Sequence, residues 1–170
     1  MRPFRLLSAC LALGFLSGCA GYRLGPTNGV EAGAKTLELS PFSNQTLEPG
    51  LGDAVTTAMR RHLQSDSTFR LASGGGADVI VSGVLTKYTR HELSFVPQDV
   101  LTVRDYRITA TAQITARDVS TGRILLDSPV SGYALVRVGS DLTSAQRQAL
   151  PLLADDLARK ATALLVDGNW

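Results

Sequence analysis

The sequence predicts an α+β fold in which two helices pack on one face of a four-stranded, mostly antiparallel sheet. Three patterns support it: apolar residues four apart over 51–63, strict alternation over 106–117, and a second helical stripe over 150–164. Apolar residues at three- and four-residue spacing indicate a helix, whereas alternation indicates a half-buried strand. With 44% hydrophobic and 19% charged residues, the composition is that of a globular domain. The predicted element order is β-α-β-β-β-α.

The first strand and the first helix have short but clear patterns. Residues 36–40 alternate between leucine and polar side chains, and Pro41 ends this strand or marks it as an edge. The helix that follows has one apolar stripe, formed by Leu51, Val55, Met59 and Leu63. His62 flanks the stripe, and we interpret it as a packing residue rather than a metal ligand.

A glycine-rich segment, Ser73-Gly74-Gly75-Gly76, has the composition of a phosphate-binding loop. Such a loop requires a Lys-Ser or Lys-Thr pair and the N-terminus of a helix directly after it. Neither follows here, because the next pattern is that of a strand. We therefore predict a plain loop.

Three strands follow one another without an intervening helix. Residues 78–89 are apolar on both faces, as in a central strand, and residues 91–100 are predicted to form a connection with a proline and an aspartate as turn residues. Residues 106–117 have one apolar and one threonine-rich face. The last strand, 123–133, contains Pro129, which cannot donate a ladder hydrogen bond and so indicates an edge or a bulge.

The C-terminal stretch is predicted to be a helix. Residues 143–146 have the spacing of a capping box, and the acidic pair 155–156 is expected on a solvated face with the basic pair 159–160. Pro151 either kinks this helix or begins its second half. The predicted buried stripe consists of Leu150, Leu153, Leu157, Ala161 and Leu164.

The N-terminus has the pattern of a bacterial lipoprotein signal. A basic head precedes about ten apolar residues over 6–15, too few to span a bilayer. Leu16-Ser17-Gly18-Cys19 follows, and in this pattern the chain is cut before a cysteine that is acylated. We predict a signal peptide over 1–18, lipidation at Cys19, a tether over 19–33 and a single domain over 34–170. Several acyl chains make a stable anchor, whereas one chain binds only marginally.

Processing alters the chemistry expected of the mature chain. Cys10 leaves with the signal and Cys19 carries lipid, so we expect no disulfide and no cysteine metal site. Loss of Arg2 and Arg5 reduces the 17 basic residues to 15, which equals the 15 acidic ones. A near-neutral surface argues against nucleic-acid binding. Ala20, rather than aspartate, after the lipidated cysteine favours the outer membrane.

Catalytic motifs are not found in the sequence. It contains no Gly-x-Ser-x-Gly, no His-Glu-x-x-His and no Walker loop. The two histidines, and the loss of both cysteines to processing and lipidation, leave few groups for acid–base or nucleophilic work. We expect a protein that is not an enzyme and that has no cofactor and no bound metal.

Several segments in order resemble the LptE family of lipopolysaccharide-assembly lipoproteins. They are Gly18-Cys19-Ala20-Gly21-Tyr22-Arg23-Leu24, Leu39-Ser40-Pro41-Phe42-Ser43-Asn44-Gln45-Thr46, Ala77-Asp78-Val79-Ile80-Val81-Ser82-Gly83, the turn Arg117-Asp118 with Thr121-Gly122, and Asp155-Asp156-Leu157-Ala158. The resemblance implies two helices on a four-stranded sheet. It also implies an outer-membrane lipoprotein, facing the periplasm and the barrel lumen, that plugs and helps to assemble the LptD β-barrel and binds lipopolysaccharide.

A second resemblance leaves another function open. Residues 39–46 also resemble the opening strand and loop of the LpoB, CsgG and TolB N-terminal class, whose members activate or assemble envelope machines. Those proteins would need more alternation of strand and helix after residue 78. Three successive strands favour the LptE family instead.

A lipopolysaccharide site requires cations beside apolar surface, because the lipid presents phosphates next to acyl chains. Lys87 and Arg90 leave the second predicted strand, and Arg104 and Arg107 precede or begin the third. If these strands form an antiparallel pair, the four residues share one neighbourhood, with Phe95 and Val96 in the connection. Arg137 joins them only if the end of the fourth strand lies on the same side. These five residues are the candidate site, although solvated strand-end charges would give the same pattern.

Overall fold

The structure, a computed structural model, describes residues 33–139 and 141–168, with the backbone alone at Val100. The predicted signal peptide, Cys19 and all of the tether except Gly33 lie outside the described residues. The described residues form two helices and six strands. In chain order they are β1 (Thr36–Leu39), β2 (Ser43–Asn44), α1 (Leu51–Asp66), β3 (Arg70–Leu71), β4 (Val79–Val96), β5 (Asp99–Asp118), β6 (Ile124–Arg137) and α2 (Leu142–Asp167).

The sheet has six strands and is mixed, so the predicted four-stranded sheet was too small. Its order is β3-β1-β4-β5-β6, with β2 also paired to β4. The long strands β4, β5 and β6 are antiparallel, whereas β1 is parallel to both β3 and β4. Between β1 and β4 the chain passes through α1, and such a crossover connection joins parallel strands. The missed strands, β2 and β3, have two residues each, too few to show a period.

The predicted connection over 91–100 is wrong, because β4 and β5 continue through it as a long hairpin. Val96 pairs with Asp99 across a tight turn in which Gln98 has φ 66°. The register shifts twice between Ser94 and Val96. Both faces of this ribbon are mostly exposed, so its sequence has no alternation of buried and exposed positions to reveal a strand.

Both helices cover one face of the sheet, as predicted. On β5 five apolar residues of the alternating pattern are completely buried: Ile108, Ala110, Ala112, Ile114 and Ala116. Tyr106, the first of the pattern, is only half-buried. The intervening residues lie on the opposite face, here called the open face. The four stripe residues of α1 are buried, and so are Leu153, Leu157 and Ala161 of α2. Leu150 and Leu164 are only half-buried, and Leu165 lies in the core instead.

The second helix begins with a cap that the sequence analysis placed elsewhere. Asp141, not Thr143, is the N-cap, and its carboxylate accepts hydrogen bonds from the backbone N–H groups of Thr143 and Ser144. An N-cap carboxylate satisfies donors that have no partner within the helix. Pro151 lies inside the helix, which continues on both sides of it.

Close packing of α2 on the sheet depends on one glycine of β6. A Cβ added at Gly132 would lie 2.5 Å from the backbone nitrogen of Leu157, far inside contact distance. Gly83 of β4 permits a similar close approach, because a Cβ there would lie 2.2 Å from the ring of Phe42. Glycine at these two points lets α2 and the Phe42 ring lie directly against the sheet backbone.

We predict that Gly132→Ala lowers the free energy of unfolding by about 1–3 kcal/mol, the usual cost of overpacking a filled interior. The helix backbone must move to admit the methyl group, since no flexible side chain tip is involved. Urea denaturation of the purified protein measures the change. Gly139→Ala is the matched control, because nothing lies within 4 Å of the added carbon. Equal stability of the two variants would contradict the close approach.

Candidate functional site

The hairpin end of the sheet, where β4 and β6 finish and β5 begins, is organised around Asp105. Asp105 pairs with Ser94 of β4 on one side and with Arg137 of β6 on the other. Arg104 Nε and Arg137 Nε each donate to the Asp105 carboxylate at 3.0 Å, and the Ser94 hydroxyl donates as well. One carboxylate therefore links the ends of three strands and brings two of the predicted cations together.

The Asp105 carboxyl group stays ionised because its neighbours are donors. The Ser94 hydroxyl, then the Arg137 and Arg104 guanidinium groups, hold the pKa of Asp105 well below its ordinary value. Hydrogen bonds to the charged form stabilise it over the neutral form. Sequence analysis missed Asp105, because an aspartate next to an arginine does not by itself predict a site. Only the strand register shows that Arg137 lies opposite.

Arg90 and Arg107 lie near this cluster but on opposite faces of the ribbon. Arg90 lies on the side of the helices, 5.2 Å from the centroid of the Tyr106 ring, and its NH1 donates to Gln146 Oε1 at 3.3 Å. Arg107 lies on the open face, 5.2 Å from the ring centroid of Tyr133. Both guanidinium groups are held by aromatic rings, a favourable contact for a cation.

Lys87 lies apart from the other four candidates. It pairs with Thr111, four positions along β5 from Arg107, a separation of roughly 13 Å. The structure therefore gathers Arg104 and Arg137 on Asp105, puts Arg90 and Arg107 beside them on separate faces, and leaves Lys87 farther down the sheet. Arg137 is at this end because β6 finishes next to the start of β5.

The tip of the β4–β5 hairpin adds apolar surface next to the arginines of the hairpin end. Leu93, Phe95 and Leu101 are 46%, 43% and 90% exposed. The tip is shaped by Asp99, whose carboxylate accepts hydrogen bonds from the Leu101 N–H and the Thr102 hydroxyl. Cations and exposed apolar side chains thus lie next to each other, as a phosphate-bearing amphiphile requires.

A network of polar side chains joins the hairpin end to the start of α2. Gln146 Nε2 donates to the Tyr88 hydroxyl at 2.7 Å and to Glu48 Oε2 at 3.1 Å, while its oxygen accepts from Arg90. Burial, followed by the nearby Glu48 charge, raises the pKa of Tyr88. Sequence analysis placed Gln146 in a helix cap, so it missed that this side chain links α2 to β4 and to the loop before α1.

The open face of β5 is polar and its side chains are paired across strands. Thr111 and Ser131 hydroxyls lie 2.8 Å apart, and Gln113 Nε2 donates to Asp127 at 2.5 Å. Among the residues that the structure describes, no cluster of three or more His, Cys, Asp or Glu side chains is placed to hold a metal ion. Nor is any described helix long and apolar enough to cross a membrane.

Solved structures define the class of fold. A hypothetical protein from Chlamydia trachomatis is similar over 79% of this chain and 97% of its own, with TM-score 0.59 and 11% identity. A protein from Xanthomonas campestris is similar over 85% and 90%, with TM-score 0.61 and 11% identity. An uncharacterized lipoprotein B from Nitrosomonas europaea is similar over 86% and 88%, with TM-score 0.51 and 11% identity. The chain thus has an α+β fold that it shares with these three bacterial proteins, one of which is a lipoprotein.

The family follows from the sequence itself. Residues 34–165 match the lipopolysaccharide-assembly family LptE, so the chain belongs to that family. The match covers β1 through nearly all of α2 and confirms the resemblance noted in the sequence. The comparison with curated proteins found no match to this chain.

We predict that Asp105 makes the fold acid-sensitive. Its folded-state pKa is depressed, so its contribution is fully present above the unfolded value near 3.9 and is lost as the pH falls further. Asp105→Asn should lower the melting temperature at pH 7 and flatten its fall between about pH 5 and 2. Thermal melts of both proteins over that pH range measure this. Parallel curves with a constant offset would contradict it.

Proposed function

We propose that this protein is an outer-membrane lipoprotein of lipopolysaccharide assembly, acting with an LptD-type β-barrel and binding lipopolysaccharide without catalysis. The observation that carries this proposal is the family match over residues 34–165. The predicted lipid anchor at Cys19 would hold the domain at the membrane. The barrel partner, the lipid and the location are parts of the proposal, each open to experiment.

The hairpin end is the best candidate for contact with lipopolysaccharide. The lipid carries phosphates beside acyl chains, and arginine binds phosphate through a planar fork of donors. Arg104 and Arg137 supply such groups, with exposed apolar side chains at the tip nearby. Asp105 neutralises part of that charge, so it should weaken the attraction for phosphate while it holds the arginines in place.

The open face is the candidate surface for the barrel. Its side chains are hydroxyls, amides and a few charges, already paired with one another across β5 and β6. Such a polar surface suits the wall of a water-filled lumen, where bridging waters would complete the contacts. The alternative role, an adaptor of the LpoB, CsgG and TolB N-terminal class, has less support because β4, β5 and β6 follow one another without a helix.

The partner is tested by recovery of the complex from membranes. We expect the full-length, tagged protein, gently solubilised, to recover a β-barrel of LptD size in a one-to-one complex. Depletion of the protein should lower the amount of folded barrel and admit large antibiotics. Normal barrel levels after depletion would count against an LptE function and favour an adaptor.

The lipid site is tested with two opposite changes of charge. Replacing Arg90, Arg104 and Arg137 together by Gln should weaken binding to lipopolysaccharide at least tenfold and reduce its salt dependence, because screening acts on exposed charges. Asp105→Asn should instead strengthen binding several-fold by releasing Arg104 and Arg137. A lipopolysaccharide-binding titration at two salt concentrations measures both effects.

The matched control replaces three exposed arginines elsewhere, Arg60, Arg70 and Arg123, by Gln, which changes the net charge equally. Barrel recovery should survive in all variants. If the control weakens binding as much as the site variant does, overall charge rather than the hairpin end attracts the lipid. Unchanged binding in the site variant would place the lipid site elsewhere.

A further inference from the structure

The long strand β6 lies at an edge of the sheet. Its 14 residues, Ile124–Arg137, pair only with β5 among the residues that the structure describes. An edge strand presents backbone N–H and C=O groups that can pair with another chain. Pairing of this kind would be most favourable for a strand as long and regular as β6.

Two side chains of α2 occupy the outer backbone groups at the centre of β6. Asp156 Oδ2 accepts a hydrogen bond from the backbone N–H of Tyr133 at 3.0 Å, and Lys160 Nζ donates to the carbonyl oxygen of Ser131 at 3.3 Å. In an antiparallel strand, alternate residues direct both backbone groups to the same side. Ser131 and Tyr133 are therefore outward-facing residues of the edge.

The two side chains are fixed to each other and to the strand. Lys160 Nζ lies 2.7 Å from Asp156 Oδ2 and 4.9 Å from the centroid of the Tyr133 ring. Arg159 also donates to Asp156, at 2.5 Å. The next outward-facing residue, Pro129, has no N–H to offer. At three successive outward-facing residues, Pro129, Ser131 and Tyr133, a backbone group is therefore either missing or already hydrogen-bonded.

We propose that Asp156 and Lys160 form an edge guard that prevents β6 from pairing with the β6 strand of a second copy of this chain. The acidic pair in the sequence is then not a solvated face. Asp155 contacts Arg61 and His62 of α1, whereas Asp156 closes the sheet edge. This inference is independent of the proposed role in lipopolysaccharide assembly.

The second copy is the fitting occupant because β6 is complementary to itself. Antiparallel pairing of two copies centred on Gly132 places Asp127 of each opposite Arg137 of the other, and Ser131 opposite Tyr133. Opposite charges across strands stabilise such a pair. It would also cover Tyr133 and Leu135, which are 48% and 59% exposed on the same face. An isologous contact of this kind closes as a dimer.

The experiment removes the guard and measures association of the purified full-length chain in detergent. We expect the double variant Asp156→Ala with Lys160→Ala to dimerise at least tenfold more tightly than wild type in sedimentation equilibrium. The matched control is Asp155→Ala, which loses a neighbouring ion pair away from the edge. Dimerisation of the control to the same extent would overturn the proposal, because general destabilisation would explain both.

Two further variants keep the test decisive. Lys160→Met is used if the double variant does not fold. It leaves Asp156 in place, so its dimer should be weaker than the one expected of the double variant but tighter than that of wild type. Asp127→Arg, added to the double variant, should weaken the dimer at least tenfold by placing like charges opposite Arg137. The proposal fails if the folded Asp156 and Lys160 variants stay monomeric. It also fails if Asp127→Arg leaves the affinity of the dimer unchanged.

Discussion

The approach of α2 to the sheet is the contact on which the other features depend. Gly132 allows the backbone at Leu157 to lie directly against β6, and alanines line the facing positions of β5. Small residues on both sides bring the elements close without a void, as dense interiors require. At this distance the short aspartates of α2 can reach α1 on one side and the β6 edge on the other. A larger residue at position 132 would disturb both contacts together.

The sheet is longer than the layer of helices that covers it, and this difference creates the candidate site. The 20 residues of β5 extend over roughly 65 Å, whereas the 26 residues of α2 extend over about 39 Å. The uncovered end has no core to hold its strands together. Asp105, with its arginine and serine partners, links the three strands there instead. Arg137, one of the two arginines that would attract a phosphate, thus also holds β6 in register with β5.

The sequence was sufficient to predict the elements that contact the core. The strict alternation over 106–117 and the stripe at Leu51, Val55, Met59 and Leu63 identified β5 and α1, because burial of one face imposes a period. The hairpin over 91–100 and the two-residue strands had no such period, so they were missed. Asp105 was missed, since Ser94 and Arg137 lie on other strands and only the register places them beside it. Asp156 pairs with Lys160 at i,i+4 as predicted, but its hydrogen bond to the Tyr133 N–H of β6 was beyond prediction, because helix placement fixes it.

The edge guard and the hairpin end have opposite consequences for association. Along β6, helix side chains occupy outward backbone groups and a proline removes one N–H, which discourages nonspecific strand pairing. At the hairpin end, apolar side chains stay exposed and arginines are compensated by a single carboxylate. Under the proposed function, a partner or ligand would contact the hairpin end and the open face through side chains rather than backbone groups. Recognition there would be set by charge and shape, which gives selectivity that strand pairing alone would not provide.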